Sequence, residues 1–520
     1  MYSLLIKNAK VIDGTGKPGE VLDVAVEGDK IVNLDKNIPS GAQTVIDADG
    51  KVLAPGFVDL QNHSDAYFQI FENPTFDSLV TQGYTTLLLG NCGASLAPIL
   101  SNESLMALQK WHSLEGANIN WRTFDEFLTE LSKKSFACNL GSLVGYSTLR
   151  RGITGDQIRA LEKNESKALY KILEESLEAG AFGLSNGLSY AHEIIVSELE
   201  LFELAKILKK YDRLFSLHLR SEGSEILEAV DEALDVARST DVNLKISHLK
   251  LRGSKNFEKF EVLVSDLETA YHKGLNIHFD AYPYDTIWQV LYSYLPKWAI
   301  AGGRTALLKH LKDPTQTNKI LLYLNSTDIK FSELIIASTS SKLSAVGKTI
   351  GQIAKNLGAT SEQAVLELIQ NGGSEVLVFE KNLNQNQVNE LLFHPLSFIG
   401  TDGAGFGLKN KEKLVHPRCF GTAPRFIKTA LEAKITLESA IKKLSFAPAK
   451  KAGIKGRGEI KIGNFADLLI FDPAKIRDKA TYQNPYQLSE GMEYVFVNGK
   501  AAISEGKITS QLQGRVLRKN

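Results

Sequence analysis

The chain has 520 residues, too long for one small module at ~150 residues per domain, and the length suits a barrel of ~250 residues with appendages. Its 43% apolar and 23% charged residues exclude wholesale disorder, and sixty basic against sixty acidic residues leave a formal net charge of zero, which argues against nucleic acid as a partner. Three cysteines, Cys92, Cys138 and Cys419, cannot make a disulfide framework and suit a reducing, cytoplasmic compartment.

From the N-terminus, Met1 to Val11 has no basic region followed by an apolar core and a small-residue cleavage site, so no signal peptide is expected. Residues 1–55 read as short strands (3–6, 10–12, 21–26, 30–34) broken by Asp13-Gly14 and Glu27-Gly28-Asp29 turns. Residues 451–520 repeat that strand-rich texture in Leu468 to Phe471 and in Tyr494 to Val497, closed by Asn498-Gly499. Neither end can bury its apolar face alone, so the two are expected to pair into one small β-sandwich domain, with two independent β appendages as the alternative. Ser78 to Asn102 is an uncharged stretch of membrane-spanning length, but Gln82, Asn91 and Pro98 interrupt it, and a buried strand with its loop is expected instead.

Residues 56–450 alternate short apolar runs with helix-length patterns. The runs are 56–63, 85–92, 139–147, 182–188, 214–220, 244–250, 276–284 and 395–402, and eight such units predict an α/β fold of the (β/α)8 TIM-barrel type, with an open doubly wound sheet as the rival. His218 and His248 are 30 residues apart, about one βα unit, whereas Tyr282 and Asp402 are 120 apart. The excess marks an insertion around 286–392, placed where it can cover an active site.

Barrel strands end on one mouth, and there these runs place His63, Cys92, His218, His248, Asp280 with Tyr282, and Asp402. With only ten histidines and three cysteines in the chain, imidazole, thiolate and carboxylate gathered on one rim predict a metal site.

At these positions the sequence resembles a known family. Pro55-Gly56-Phe57-Val58-Asp59 with His63, Gly90-Asn91-Cys92-Gly93, Gly180-Ala181-Phe182-Gly183-Leu184-Ser185, His218-Leu219-Arg220-Ser221-Glu222, Ile246-Ser247-His248-Leu249-Lys250, Asp280-Ala281-Tyr282-Pro283-Tyr284, Gly400-Thr401-Asp402-Gly403 and His416-Pro417-Arg418 occur in order. The set is similar to the N-acyl-D-amino-acid deacylases (D-aminoacylases) of the amidohydrolase superfamily. The resemblance extends from about Leu5 to beyond Asp472 and is loose only in the insertion.

It implies a metal-dependent hydrolase barrel that cleaves small-molecule N-acyl amino acids, with neither nucleic acid nor membrane as partner. It implies one tight Zn2+ on Cys92, His218 and His248, His63 at a second, weaker site, and Asp402 as general base and acid. Lys250, Tyr282 and Arg418 would hold the substrate α-carboxylate, a task suited to the planar fork of Arg418. Arg220, two residues past His218 as Lys250 is past His248, is a substrate contact or a structural residue. Two departures stand out. Gln61-Asn62-His63 replaces His-x-His, which weakens the second metal site, and Tyr146 follows strand three where the family often has histidine. An amidohydrolase acting on dipeptides or cyclic amides would use the same metal and base. A catalytically silent scaffold of the same fold is the other alternative, and the joint presence of Cys92, His218, His248 and Asp402 argues against it.

Overall fold

The strand Val52–Pro55 pairs in parallel with Tyr2–Val11 and antiparallel with Leu468–Phe471, so the two ends of the chain share one sheet. In this computed structural model, residues 1–39, 41–108, 119–155, 157–300, 303–339, 343–372, 375–409 and 413–520 are described. Among the described residues the sheet has nine strands, running from Lys507–Ile508 through Val52–Pro55 to Lys30–Asp35, with Ala42–Asp47 branching from Tyr2–Val11. Alternation sends Leu4, Ile6, Val24, Leu53, Leu468 and Ile470 into one apolar cluster, while Val52, Ala54, Leu469 and Phe471 face the main core. Both ends are joined in one hydrogen-bonded ladder, because Val52–Pro55 pairs with a strand from each. The expected runs 3–6 and 10–12 are one strand, bulged between Ile6 and Ala9 with Asn8 at φ 54°.

The eight expected parallel strands are Phe57–Asp59, Tyr84–Leu89, Asn139–Ser142 (continued by Val144–Gly145), Gly183–Gly187, Leu214–His218, Asn243–Ile246, Ile277–Ala281 and Ser397–Ile399. Each pairs in parallel with the next in the chain. The last returns to the first where the Asp402 amide donates to the Gln61 carbonyl (2.9 Å) and the His63 amide to the Gly403 carbonyl (2.8 Å). Helices such as Lys163–Glu178 bury Leu169, Leu173 and Leu177, spaced four apart, against this ring.

Between the last two parallel strands, Thr286–Val290, Leu377–Lys381 and Ile335–Ser338 form a separate antiparallel sheet. With neighbouring helices it encloses its own cluster, including Leu291, Ile320, Ile336, Ile369 and Val378. The end of the chain turns back under the ring: the Leu140 amide donates to the Arg515 carbonyl (2.8 Å) and the Leu517 amide to the Leu140 carbonyl (2.7 Å). Among the described residues, no helix is long and apolar enough to cross a membrane.

Candidate metal centre and active site

The eight residues expected to hold metal, move protons or bind substrate line one cavity of about 950 Å³: His63, Cys92, His218, His248, Lys250, Tyr282, Asp402 and Arg418. Asp280, also expected at the mouth, instead sits behind it against Lys245 and the His248 amide. The turn after strand two needs its glycines. Gly90 and Gly93 have φ of 74° and 77°, and a Cβ on either would collide with the Leu143 carbonyl oxygen or the Glu193 carboxylate. Cys92, His248 and Asp402, each just past a strand end, hold φ of 53°, 37° and 47°, a left-handed backbone that non-glycine residues adopt at a cost.

Two donor groups result. Cys92, His218 and His248 offer ligand atoms within 4.8 Å of one another, as do His63, Cys92 and Asp402, so the thiol belongs to both. Cys92 Sγ is 3.4 Å from His248 Nε2 and 3.8 Å from His63 Nε2. Asp402 meets His63 Nε2 with Oδ1 (3.1 Å) and Arg418 Nη2 with Oδ2 (2.8 Å). Tyr282 lies under the Arg418 guanidinium, 4.7 Å from ring centroid to carbon.

Comparison with known proteins places this arrangement. A profile of the amidohydrolase family matches residues 368–502. D-aminoacylase of Alcaligenes xylosoxydans xylosoxydans is 30% identical over 518 residues, 99% of this chain and 97% of that protein. This chain belongs to the D-aminoacylase (N-acyl-D-amino-acid deacylase) family of amidohydrolases. Among solved structures, a D-aminoacylase described for its binuclear metal centre matches over 100% of both chains, with TM-score 0.84 and 29% identity. An N-acyl-D-glutamate deacylase from Bordetella bronchiseptica, complexed with zinc and a phosphonate inhibitor, matches over 99% of both, with TM-score 0.84 and 26% identity. As a D-aminoacylase-family amidohydrolase, the protein is a metal-dependent amide hydrolase.

The residues of this family member fit a metal. A thiol and two imidazoles of suitable type converge, and His218 Nδ1 has no hydrogen-bond partner among the described residues. Burial opposes ionisation of the Cys92 thiol, but the charge of His248 and hydrogen bonds from His218, His248 and His63 outweigh it and favour the thiolate. Burial likewise opposes a charged Asp402, yet Arg418, His248 and His63 hold its carboxyl well below the usual range. For His63, burial favours the neutral ring, and the bond to Asp402 with the thiol nearby raises it to about 10.

Other expected roles meet different partners. Lys250 donates to Glu222 Oε1 (2.6 Å) and to the His248 carbonyl (2.7 Å), and its Nζ lies 2.8 Å from His248 Nδ1. By contrast, the buried Tyr282 hydroxyl and Arg418 Nε have no partner among the described residues. Arg220 forks onto Glu232 (2.8 Å) and donates to the Ile194 and Val196 carbonyls, as a structural clamp does. Tyr146 is tied through its hydroxyl to Glu200, beside Arg150.

Sequence reading gave no role to Glu222, Ser189, Lys245 or Trp288. Glu222 Oε1 lies 3.1 Å from His248 Nδ1, and Ser189 Oγ is 2.8 Å from His218 Nε2. Trp288, from the insertion, stacks on Tyr67 at 5.0 Å and lines the cavity. Glu222 and Lys245 left a trace in the sequence: a carboxylate four residues after His218, and a lysine inside the apolar run 244–250.

Proposed function

We propose that this protein hydrolyses the amide bond of N-acyl-D-amino acids in the cytoplasm, giving a carboxylate and a free D-amino acid. One observation carries the reading. A Cys-His-His donor set, the carboxylate of Asp402 and the unpartnered donors of Tyr282 and Arg418 share one cavity. The D configuration comes from the names of the relatives. The cytoplasmic setting is supported by three buried cysteines without disulfides.

We read the closed ring of parallel strands as the (β/α)8 barrel of a metal-dependent hydrolase spanning 56–450, interrupted by an insertion around 286–392. Residues 1–55 and 451–520 form the small β domain. Cys92, His218 and His248 would hold one zinc ion tightly, with His63 at a weaker second site. Bound there, zinc supplies Lewis-acid polarisation of the acyl carbonyl and a water of lowered pKa. Arg418 and Tyr282 bind the α-carboxylate, and Lys250 adds positive charge on the same wall. Asp402 accepts the proton of the attacking water as the C–O bond forms, then delivers it to the amide nitrogen as the C–N bond breaks. The insertion, through Trp288, Val290 and Leu295, walls the cavity and limits water.

A chirally pure panel tests this: N-acetyl-D- and L-amino acids, a dipeptide and a hydantoin, assayed by amine release with the zinc-loaded protein. Turnover of the N-acetyl-D-amino acids well above the rest is expected. Preference for the dipeptide or hydantoin would overturn it.

A further inference from the structure

Lys245 lies in the parallel strand Asn243–Ile246 and is fully buried, an unusual place for an ammonium group. Its Nζ donates to Gln61 Oε1 (2.7 Å) and Ser247 Oγ (3.3 Å), and it pairs with Asp280 Oδ2. Three protons thus meet three acceptors. The other oxygen of Asp280 accepts the His248 amide at 2.8 Å, so the ion pair is tied to a proposed metal ligand.

Lys245 also fixes which way Gln61 points. An ammonium only donates, so Gln61 must turn its oxygen to Lys245, leaving Nε2 to donate to Cys92 Sγ at 3.2 Å. Gln61 is itself fully buried and stands where a His-x-His pair would place its first imidazole. Donors therefore occupy the His63–Cys92–Asp402 group from two sides, the Gln61 amide that Lys245 orients onto Cys92 Sγ and Arg418 on Asp402 Oδ2. The proton that Gln61 gives the sulfur also takes a lone-pair direction with which a thiolate would bridge two ions.

We propose that Lys245, acting through Gln61, weakens the second metal site, so that the His63–Cys92–Asp402 group does not retain an ion. Lys245 is then a positioning residue of a mononuclear centre. This rests on the proposed zinc at Cys92, His218 and His248.

The test is metal content after loading with excess Zn2+ and dialysis, with Zn2+ affinity measured by chelator competition. Wild type, Gln61→His, Lys245→Met and the double variant are compared. One ion is expected in wild type and in each single variant, and two in the double variant. Because Lys245 would face the imidazole introduced by Gln61→His and compete for its lone pair, second-ion affinity in Gln61→His should be weaker than in the double variant by about tenfold or more. A second ion bound equally well by Gln61→His and the double variant overturns the proposal, as does a single ion in all four proteins. If Lys245→Met misfolds because Asp280 is stranded, Lys245→Met with Asp280→Asn removes the ammonium donor without stranding a carboxylate and serves in its place. Wild type holding no tight ion would overturn the underlying metal reading, and this proposal with it.

Discussion

Arg418 Nη2 stands 2.8 Å from Asp402 Oδ2, and both side chains are buried in the wall of the same cavity. The pair gives each group a second task. Arg418 favours the ionised form of Asp402, and its Nε, without a partner among the described residues, is the donor that the proposed reading gives to the substrate carboxylate.

Arg418→Met should therefore raise KM for free N-acyl-D-amino acids much more than for their α-amides. Losing a buried charge-assisted contact costs roughly 2–5 kcal/mol, a KM rise on the order of thirtyfold or more for the acid. Steady-state kinetics on matched acid and amide substrates measures the difference. Equal damage to both would leave Arg418 as a partner of Asp402 alone.

Asp402→Asn retains the shape of the side chain and removes the proton acceptor. Metal content and thermal unfolding should stay near wild type while kcat falls by ~10²–10⁴, the usual worth of general acid–base catalysis. A fall of less than about tenfold, with metal retained, would take Asp402 out of the proton-transfer role.

Removing the metal should lower activity and stability together. An ion that binds only the folded chain stabilises it by RT ln(1 + [L]/Kd), about 4 kcal/mol when free ligand is a thousandfold above Kd. Chelator-treated protein should lose turnover and melt at a lower Tm, and stoichiometric Zn2+ should restore both. Cys92→Ser should behave like the chelated protein and respond little to added Zn2+. Unchanged Tm and turnover after verified removal of metal would refute a resident ion.

The rim of candidate ligands was legible because chemistry at strand ends is local in sequence. His63, Cys92, His218, His248 and Asp402 each stand just past or at the end of an apolar run, so strand periodicity alone brings them to one end of the ring. What lies behind them is not local. Glu222 reaches Lys250 across 28 positions and Lys245 reaches Gln61 across 184, and no spacing rule foretells such pairs. The pairing of the two chain ends was expected from their shared texture, but the strand that joins them was hidden for a similar reason. Val52–Pro55 is a four-residue apolar run without alternation, and nothing in it names Leu468–Phe471 as its neighbour. The return of residues 514–517 to Leu140 left no apolar pattern, because backbone groups make the contact.

Glu222 carries the last prediction. For His248 to bind zinc through Nε2, its ring proton must sit on Nδ1, which lies 3.1 Å from Glu222 Oε1 and 2.8 Å from Lys250 Nζ. Lys250 cannot accept that proton, because an ammonium has no lone pair, so the carboxylate is its acceptor and sets the tautomer. Burial opposes charge on Glu222, but Lys250 and the bond from His248 hold its carboxyl well below the usual range. Glu222→Gln keeps an acceptor oxygen and loses the charge that balances Lys250. Zinc affinity should fall by roughly 10–100-fold, as expected when the partner of a metal-binding histidine is altered. At saturating Zn2+ most of kcat should return. Chelator competition and zinc-dependent rate curves distinguish the outcomes, and a kcat loss that excess zinc cannot restore, with affinity unchanged, would mean Glu222 acts on the reaction itself.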